Sequence, residues 1–191
     1  VEIIADRVKH SLVTVIVNSY DGKSMKIGSG FFCNEDAEII TNSHVIPVGM
    51  SAQIKTRSQE KYRSGYTVRR LKERDFLQVG TSAPKDKVVP LRIARHLPRV
   101  GEKIVVAGNP MGLEQTITSG IVSAWRQNGK FGKVFQVSAP VSPGSSGGPV
   151  LNMDGEVVGI ITFQYKGGQN LNFAIPINDL VSRGHQSQPQ S

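Results

Sequence analysis

The segment at 144–149, GSSGGP, combines residues that could do nucleophilic chemistry, because two serines stand among three glycines and a proline. Glycines permit positive φ and close backbone approach, so successive N–H groups can point into one small concavity. A hydroxyl at the centre of such a turn would face a substrate, with donors ready for a developing oxyanion. A tight hairpin whose serines only cap the turn is the alternative interpretation. Ser146 is a candidate nucleophile only if the chain also supplies a base and an acid.

The candidate base is one of four histidines. Three of them stand among charged or polar neighbours, as surface histidines usually do: His10, His96 and His185. His44 instead follows an apolar strand and lies in a short polar turn. A general base needs an imidazole that is held on a rigid element and titrates near the working pH. His44 is therefore the candidate base, with a purely structural histidine as the alternative.

The candidate acid is Asp75, which precedes the apolar stretch at 76–79, where a strand would enter the core. An acid in this role holds the imidazole tautomer from a partly buried position. Asp86 stands between Lys85 and Lys87 and is expected to be solvated. A plain turn residue paired with Arg74 is the alternative interpretation of Asp75.

Short strands dominate the rest of the prediction, since twenty glycines and ten prolines are spread along the chain. A short helix is predicted at 2–9. Two sets of strands are predicted, the first at 12–17, 26–33, 38–40, 52–56, 66–70 and 76–79, and the second at 103–107, 115–126, 135–139, 149–152, 156–165 and 172–177. Two such sets indicate two small barrels or one sandwich.

The chain order of the three candidates is informative. His, then Asp, then Ser is the chymotrypsin order, whereas subtilisins and α/β-hydrolases use other orders. In the chymotrypsin arrangement one barrel supplies the base and acid, and the next barrel supplies the nucleophile. The two predicted strand sets divide between Asp75 and Ser146, so the strand pattern and the residue order agree.

Composition sets further bounds. The formal charge is +8 with a pI near 9.8, so anionic partners must be considered. The cations crowd the 55–74 region: Lys55, Arg57, Lys61, Arg63, Arg69, Arg70, Lys72 and Arg74. A solvated face is one interpretation of this basic 55–74 region, and weak contact with a polyanion or anionic surface is the other.

The single cysteine, Cys33, excludes an intrachain disulfide and is expected to be a buried thiol without a catalytic role. No apolar run is long enough for a membrane span. The chain opens on Val1 and Glu2 and shows no signal peptide.

The sequence resembles the chymotrypsin-like proteases, and most closely the protease domain of the HtrA (Deg) family. Seven stretches carry this resemblance: TNSHV at 41–45, VGE at 100–102, GNPMGL at 108–113, TITSGIVSA at 116–124, SPGSSGGP at 142–149, DGEVVGI at 154–160 and NFAIP at 172–176. The resemblance implies an all-β fold, a chymotrypsin-like double six-stranded antiparallel β-barrel with a short N-terminal helix. It implies one protease domain over 1–191, with barrels at about 10–90 and 98–182 and a flexible tail at 183–191.

The same resemblance assigns roles at the site. His44 would be the general base, Asp75 its orienting acid and Ser146 the nucleophile. The turn Gly144, Ser145 and Ser146 would form the oxyanion hole, with the N–H groups of Gly144 and Ser146 as donors. The implied function is a serine endopeptidase that cleaves unfolded or partner proteins through an acyl-enzyme, with no metal and no cofactor. A catalytically silent scaffold for protein binding or chaperone-like capture is the alternative.

The implied primary specificity pocket contains no acidic residue. Its lining is implied at Ala139, Pro140, Val141, Thr162, Phe163, Gln164 and Leu171, with Asn172 beside it. A buried Lys or Arg of the substrate would lack a partner there, so small or medium aliphatic residues are expected before the scissile bond. Thr162 is also expected either to donate to the Asp75 carboxylate or to be a plain strand threonine.

Some features depart from the family pattern. Ser145 stands where the family usually has Asn or Asp, and the residues after Asp75 match its usual Asp-hydrophobic-Ala-Leu pattern only loosely. No PDZ domain follows Ile177 in this chain, and the aromatic N-terminal segment that trimerises many members is not visible. A homo-oligomer such as a trimer therefore stays open. The resemblance implies an exported protein, in a periplasm, another extracytoplasmic compartment or an organelle lumen.

Overall fold

The structure is a computed structural model that describes residues 1–18, 25–109, 115–164, 171–178 and 180–181. Helix α1, Glu2–Ser11, opens the chain and buries Ile4 and Val8, which lie four residues apart on one face. No helix in the described ranges combines the length and apolar character that crossing a bilayer requires.

Six strands close the first barrel in the order β1-β2-β3-β6-β5-β4. They are β1 (Leu12–Asn18), β2 (Met25–Phe32), β3 (Glu38–Thr41), β4 (Gln53–Lys55), β5 (Lys61–Leu71) and β6 (Phe76–Thr81). All pairings are antiparallel, and Ile39 of β3 lies opposite Val79 of β6. This register matters for the site, because β3 leads into His44 and β6 begins directly after Asp75.

Six more strands close the second barrel in the order β10-β11-β12-β9-β8-β7. They are β7 (Lys103–Gly108), β8 (Thr116–Asn128), β9 (Gly132–Val137), β10 (Pro149–Leu151), β11 (Val157–Gln164) and β12 (Asn172–Pro176). Ser146 lies directly before β10, so the two barrels supply different parts of the candidate site.

The buried side chains form three clusters. One cluster fills each barrel, around Ile39 and Ile54 in the first and around Phe135 and Val150 in the second. The third cluster contains residues of α1 and of both barrels: Ile4, Val8, Phe31, Phe76, Leu151, Ile160 and Ile175 are among its members. Full burial of each large apolar side chain stabilises the fold by about 1.5–3 kcal/mol. This shared core fixes how the barrels meet, and the candidate site depends on that contact.

The predicted fold class is confirmed: two closed six-stranded antiparallel barrels follow a short N-terminal helix. Each predicted strand has its counterpart, with shifted ends. The largest shift is in β5, which starts at Lys61 rather than at the predicted 66, because its first residues pair with β4. The predicted flexible tail at 183–191 lies outside the described residues.

Candidate active site

The turn that carries Ser146 is held by both barrels. The Ser29 N–H of β2 donates to the Ser146 carbonyl over 2.8 Å, and the Gly147 N–H donates to the Ile161 carbonyl of β11 over 2.8 Å. Ser29 is fully buried. Its hydroxyl donates to the Gly144 carbonyl over 2.7 Å and accepts from the Asn109 N–H over 2.9 Å. Ser29 therefore ties the serine turn to the first barrel through both its backbone and its side chain.

Gly147 allows the turn to approach the first barrel closely. Its φ is +86°, which lies in the left-handed region that favours glycine. A Cβ at this position would lie 2.2 Å from the Ser29 carbonyl oxygen and 2.4 Å from the Thr41 hydroxyl. Only glycine allows this contact, which brings Ser146 close to the polar turn that follows β3.

Gly144 sets the direction of a backbone N–H beside Ser146. The Ser145 N–H donates to the Ser142 carbonyl over 3.1 Å, which closes a four-residue turn with Pro143 and Gly144 at its centre. Gly144 has φ +93°. Proline fixes negative φ at the second position and Gly144 has positive φ at the third, so the turn is type II. In a type I turn the central peptide, and with it the Gly144 N–H, would be turned over.

The three residues that were expected to form the oxyanion hole differ in whether their backbone N–H groups are free. The Ser145 N–H donates to the Ser142 carbonyl, so Ser145 belongs to the turn without offering a free donor, as the expected donor pair of Gly144 and Ser146 requires. The N–H groups of Gly144 and Ser146 donate to no acceptor among the described residues. They are the two donors left in the turn for a ligand.

Asp75 is buried, and its carboxylate accepts three hydrogen bonds. Oδ1 accepts from the His44 backbone N–H over 3.0 Å, and Oδ2 accepts from the His44 ring Nδ1–H over 2.7 Å. A carboxylate is an acceptor only, so the proton of this bond belongs to Nδ1, and Nε2 of a neutral ring is left as an acceptor. Thr162 supplies the third bond, from its hydroxyl to Oδ2 over 2.5 Å. Asp75 thus fixes both the tautomer and the orientation of the imidazole.

The backbone at Asp75 is shaped for this role. Asp75 caps the 3₁₀ turn Lys72–Arg74 with φ 49° and ψ 37°, a left-handed conformation that aspartate tolerates better than most residues. Its carbonyl accepts from the Ser43 N–H and from the Asn42 side-chain amide. The segments that carry the candidate base and acid are therefore joined by backbone as well as by side-chain bonds.

Thr162 reaches Asp75 because β11 is irregular at this point. The pairing of β11 with β12 shifts between Ile161 and Phe163, and such bulges re-aim side chains. Thr162 is 3% exposed and belongs to the second barrel, whereas Asp75 belongs to the first. The hydrogen bond that the sequence left open is present, and it crosses between the barrels.

The imidazole of His44 is open to solvent on its far side, with a relative side-chain exposure of 42%. Ser146 is half-buried. In the described part of the chain no hydrogen bond joins the His44 ring to the Ser146 hydroxyl. Contacts of this kind are often long in a ligand-free site and tighten when a substrate binds. Together, a fixed imidazole, a serine on a glycine-rich turn and two free backbone donors can perform acyl transfer.

Comparison with known proteins agrees with this geometry. The sequence model described as a trypsin-like peptidase domain matches residues 28–160. That range runs from β2 through the serine turn into β11 and covers more than half of the chain.

The chain belongs to the trypsin-like peptidase domain family.

Curated relatives of this trypsin-like peptidase domain are serine proteases of the HtrA type. This chain is 34% identical to serine protease HTRA4 of Mus musculus over 172 residues, which are 84% of this chain and 35% of that protein. It is 34% identical to serine protease HTRA3 of Homo sapiens over 168 residues, 82% of this chain and 36% of that protein. The chain thus spans little more than a third of the length of these two relatives.

The fold of the peptidase domain is also similar to a solved structure. The crystal structure of the serine endoprotease from Yersinia pestis superposes with a TM-score of 0.77 and 26% identity, over 92% of this chain and 61% of that chain. The HtrA resemblance and the chymotrypsin-like fold are therefore confirmed.

The residues implied for the specificity pocket belong to strands of the second barrel or to the segments that flank them. The Asn172 side-chain amide of β12 donates to the Ala139 carbonyl over 2.8 Å, so the implied floor and wall are adjacent. Ala139 is fully buried, Val141 and Leu171 are half-buried, and Pro140 is exposed. Phe163 and Gln164 belong to β11, but their side chains lie outside the described part of the chain.

No hydrogen bond among the described residues joins a competing candidate to His44, Asp75 or Ser146. His10, His96 and Asp86 are exposed, and His185 lies outside the described residues. Desolvation, and after it the charge of Glu38, raises the pKa of the Cys33 thiol far above its ordinary value, so this thiol stays protonated. A cysteine nucleophile would need the opposite shift.

Two supporting residues of the peptidase domain were not predicted from the sequence. Ser29 links the serine turn to β2, and Arg70 donates from Nη1 to the Ser43 carbonyl, the Ser43 hydroxyl and the Ile46 carbonyl, over 2.8 to 3.1 Å. Ser29 has no local signal, because its partner Gly144 lies 115 residues away in sequence. In the sequence nothing distinguishes Arg70 from the other cations of the basic 55–74 region.

We predict that Ser29→Ala lowers the free energy of unfolding by about 1–3 kcal/mol, because the Gly144 carbonyl and the Asn109 N–H lose a shared partner. Loss of this support should also lower kcat for a peptide substrate, while KM changes little. Denaturant unfolding and steady-state kinetics measure the two effects. Ser51→Ala, which removes an exposed hydroxyl, is the matched control and should be neutral. Equal values for the two variants would contradict a positioning role for Ser29.

Proposed function

We propose that this chain is a serine endopeptidase in which Ser146 is the nucleophile, His44 the general base and Asp75 the acid that orients the base. The observation that carries this proposal is the buried Asp75 carboxylate, which holds the Nδ1–H of His44 while Thr162 holds the carboxylate. This arrangement presents Nε2 of His44 as a proton acceptor. Membership of the peptidase family supports the same assignment.

The reaction is an acyl transfer in two halves. Nε2 of His44 takes the Ser146 hydroxyl proton as Oγ attacks the peptide carbonyl carbon, and the carbonyl oxygen becomes an oxyanion. The C–N bond then breaks, His44 gives the proton to the leaving amine, and an ester to Ser146 remains. Water, deprotonated by the same imidazole, attacks that ester and releases the carboxylic acid and Ser146. Asp75 stabilises the imidazolium formed in each half.

We propose the N–H groups of Gly144 and Ser146 as the oxyanion donors. Two features support this: neither group has an acceptor among the described residues, and the type II turn fixes the Gly144 peptide. Donors that need no reorganisation stabilise the charge as it develops, and removal of one such donor costs about 10²–10³ in kcat in well-studied proteases.

The fluorophosphonate reaction tests the proposed function directly. Such a probe forms a covalent bond only with a serine that is activated by its base, so stoichiometric labelling of Ser146 is expected. One observation favours the silent scaffold as a second candidate, namely the lack of a hydrogen bond between His44 and Ser146 in the described part of the chain. Absence of labelling together with retained binding of a denatured protein would favour that candidate.

We predict that the peptidase prefers small or medium aliphatic residues, such as Val, Ala, Ile or Leu, before the scissile bond. The proposed pocket residues, Ala139 to Val141, Thr162 to Gln164 and Leu171, include no acid, and the sequence at 165–170 adds Lys166 but no acid. A substrate Arg or Lys would be desolvated without a partner. We expect kcat/KM for Val at least about 100-fold above that for Arg, a difference of about 2.7 kcal/mol. A matched peptide series measures this, and a profile led by Arg or Lys would refute the pocket assignment.

Polypeptide substrates are the proposed partners. Weak contact with a polyanion through the basic 55–74 region stays a prediction, in which the exposed cations would take part: Arg57, Lys61, Arg63 and Lys72.

A further inference from the structure

A cavity of about 660 Å³ opens beside His44 and is lined by cations from two separate segments. Arg70 and Lys72 come from the end of β5 and the turn after it, and Lys130 comes from the hairpin between β8 and β9. We call these three residues and the space between them the basic cleft. Phe131 lines the same cavity, and the Lys130 ammonium lies 5.0 Å from the centre of its ring.

No described residue is an anionic partner of the cations of the basic cleft. Among the described residues the ion pairs lie elsewhere, and none includes Arg70, Lys72 or Lys130. Among the described lining residues the only acid is Asp75, which is 3% exposed in its side chain and already binds His44 and Thr162. The cleft therefore presents positive charge that no acid in the described part of the chain neutralises.

Arg70 has donor capacity left for a further partner. Its Nη1 donates to three neutral oxygens, whereas no described residue accepts from Nη2. Burial lowers the pKa of Arg70 by desolvation, and nothing offsets that cost with an opposite charge. A carboxylate in the cleft would supply the missing charge, and a guanidinium is well matched to a carboxylate in geometry.

The two walls of the cleft are joined to each other. Arg74 follows Lys72 closely in sequence and donates from Nη2 to the Lys133 carbonyl of β9 over 3.2 Å. The Lys133 ammonium in turn lies 4.5 Å from the centre of the Trp125 ring of β8. These contacts hold the hairpin that carries Lys130 against the turn that carries Lys72, so the spacing of the cations is built into the fold.

The position of Thr162 indicates which part of a substrate would enter the basic cleft. Thr162 lines this cavity and also begins the segment of β11 that is proposed to contact the residue before the scissile bond. An extended chain advances about 3.3–3.6 Å per residue, so side chains two to four residues before that bond come within reach of the cleft.

We propose that the basic cleft is a specificity subsite that binds an acidic side chain of the substrate, two to four residues before the scissile bond. This proposal rests on the proposed endopeptidase function. Acidic stretches of polypeptide would be cut faster than neutral ones of the same length, and basic stretches would be cut more slowly.

Quenched fluorescent peptides with Val before the scissile bond test the subsite. Ala, Glu or Lys is placed in turn at each of the three preceding positions. Exposed charge pairs are individually weak, so we expect Glu at the best position to raise kcat/KM about 3- to 10-fold over Ala, and Lys to lower it. At about 1 M salt, where the Debye length is about 3 Å, the difference should shrink.

A pair of variants with equal charge change separates the cleft from general attraction to a basic protein. Lys72→Gln combined with Lys130→Gln should reduce the Glu preference markedly, because only Arg70 of the three cations then remains. Lys61→Gln combined with Lys103→Gln removes two exposed cations outside the cleft and should preserve it. Arg70 is left intact, since its bonds to Ser43 and Ile46 support the turn that carries His44.

Binding to Ser146→Ala, measured by fluorescence anisotropy with the same peptides, keeps the subsite testable without catalysis. Tighter binding of the Glu peptides, clearly weakened in the Lys72 and Lys130 background, supports the subsite even if no peptide is cleaved, and only the endopeptidase proposal would then fall. Cleavage with equal rates for Ala and Glu peptides, or a Glu preference reduced equally by both double variants, overturns the subsite and leaves the endopeptidase proposal standing.

Discussion

Ser146→Ala is expected to lower kcat for peptide hydrolysis by about a millionfold, with little change in KM. The nucleophile and base of such a site act as a unit, so the loss of either removes nearly the whole catalytic effect that the unit supplies. The variant should also lose reaction with a fluorophosphonate. Steady-state kinetics on the Val peptide and mass spectrometry of the labelled protein are the measurements.

The removed hydroxyl should not disturb the fold, because the turn is held by the backbone. The Ser146 carbonyl accepts from Ser29, and Gly147 and Gly148 donate to Ile161 and Ser145. Ser142→Ala removes an exposed hydroxyl from the same segment and is the matched control, with activity expected near that of the parent protein. Undiminished hydrolysis by the Ser146 variant would mean that another group is the nucleophile.

The elements of the fold could be predicted from sequence because their signals are local. Runs of β-branched residues, such as those in β1, and the turn residues between them mark strands without knowledge of their partners. The sequence predicts the start of β5 at residue 66 rather than at Lys61, because the first residues of β5 become a strand only by pairing with β4. In that pairing Ile54 lies opposite Tyr62. That contact is set by barrel closure, which no short window of sequence displays.

The residues of the candidate site also differ in whether a local sequence signal identifies them. His44, Asp75 and Ser146 stand out because their residue types are unusual where they occur and their order matches a known arrangement. Thr162 could be named only as one of two alternatives, since its partner Asp75 lies 87 residues away in the other barrel. Ser29 gave no signal, because a buried serine in a strand becomes informative only when the opposite barrel is in place.

The cations of the basic 55–74 region have two different structural roles, although they look alike in the sequence. Arg57 and Arg63 are exposed and fit a solvated face, whereas Arg70 bonds to the turn of His44 and Arg74 bonds to β9. Counting charges could not separate them, because the difference lies in which face of β5 and which turn each residue occupies. The separation matters for function, since Arg70 lines the cavity beside the candidate base and Arg74 bonds to the second barrel.

Asp75→Asn is expected to lower kcat by about 10⁴-fold while the fold is retained, the effect reported for a triad aspartate in general. Oδ2 accepts both from the His44 Nδ1–H and from the Thr162 hydroxyl. The His44 backbone N–H that binds Oδ1 can only donate, so the amide oxygen is expected in that place, and the NH₂ then points at the His44 Nδ1–H in the place of Oδ2. Either His44 adopts the tautomer with its proton on Nε2, which cannot accept from Ser146, or the imidazole loses its partner.

Two further variants test how much the hydrogen bonds of the Asp75 carboxylate contribute to kcat. Thr162→Val removes one of the three donors to Asp75 and leaves the His44 bond in place, so its loss in kcat should be far smaller than that of Asp75→Asn. Asp86→Asn removes an exposed carboxylate and should leave kcat unchanged. Urea unfolding of each variant separates lost activity from lost structure. If Asp75→Asn is folded and keeps activity comparable to Asp86→Asn, the imidazole of His44 is oriented by some other group and the assignment of Asp75 fails.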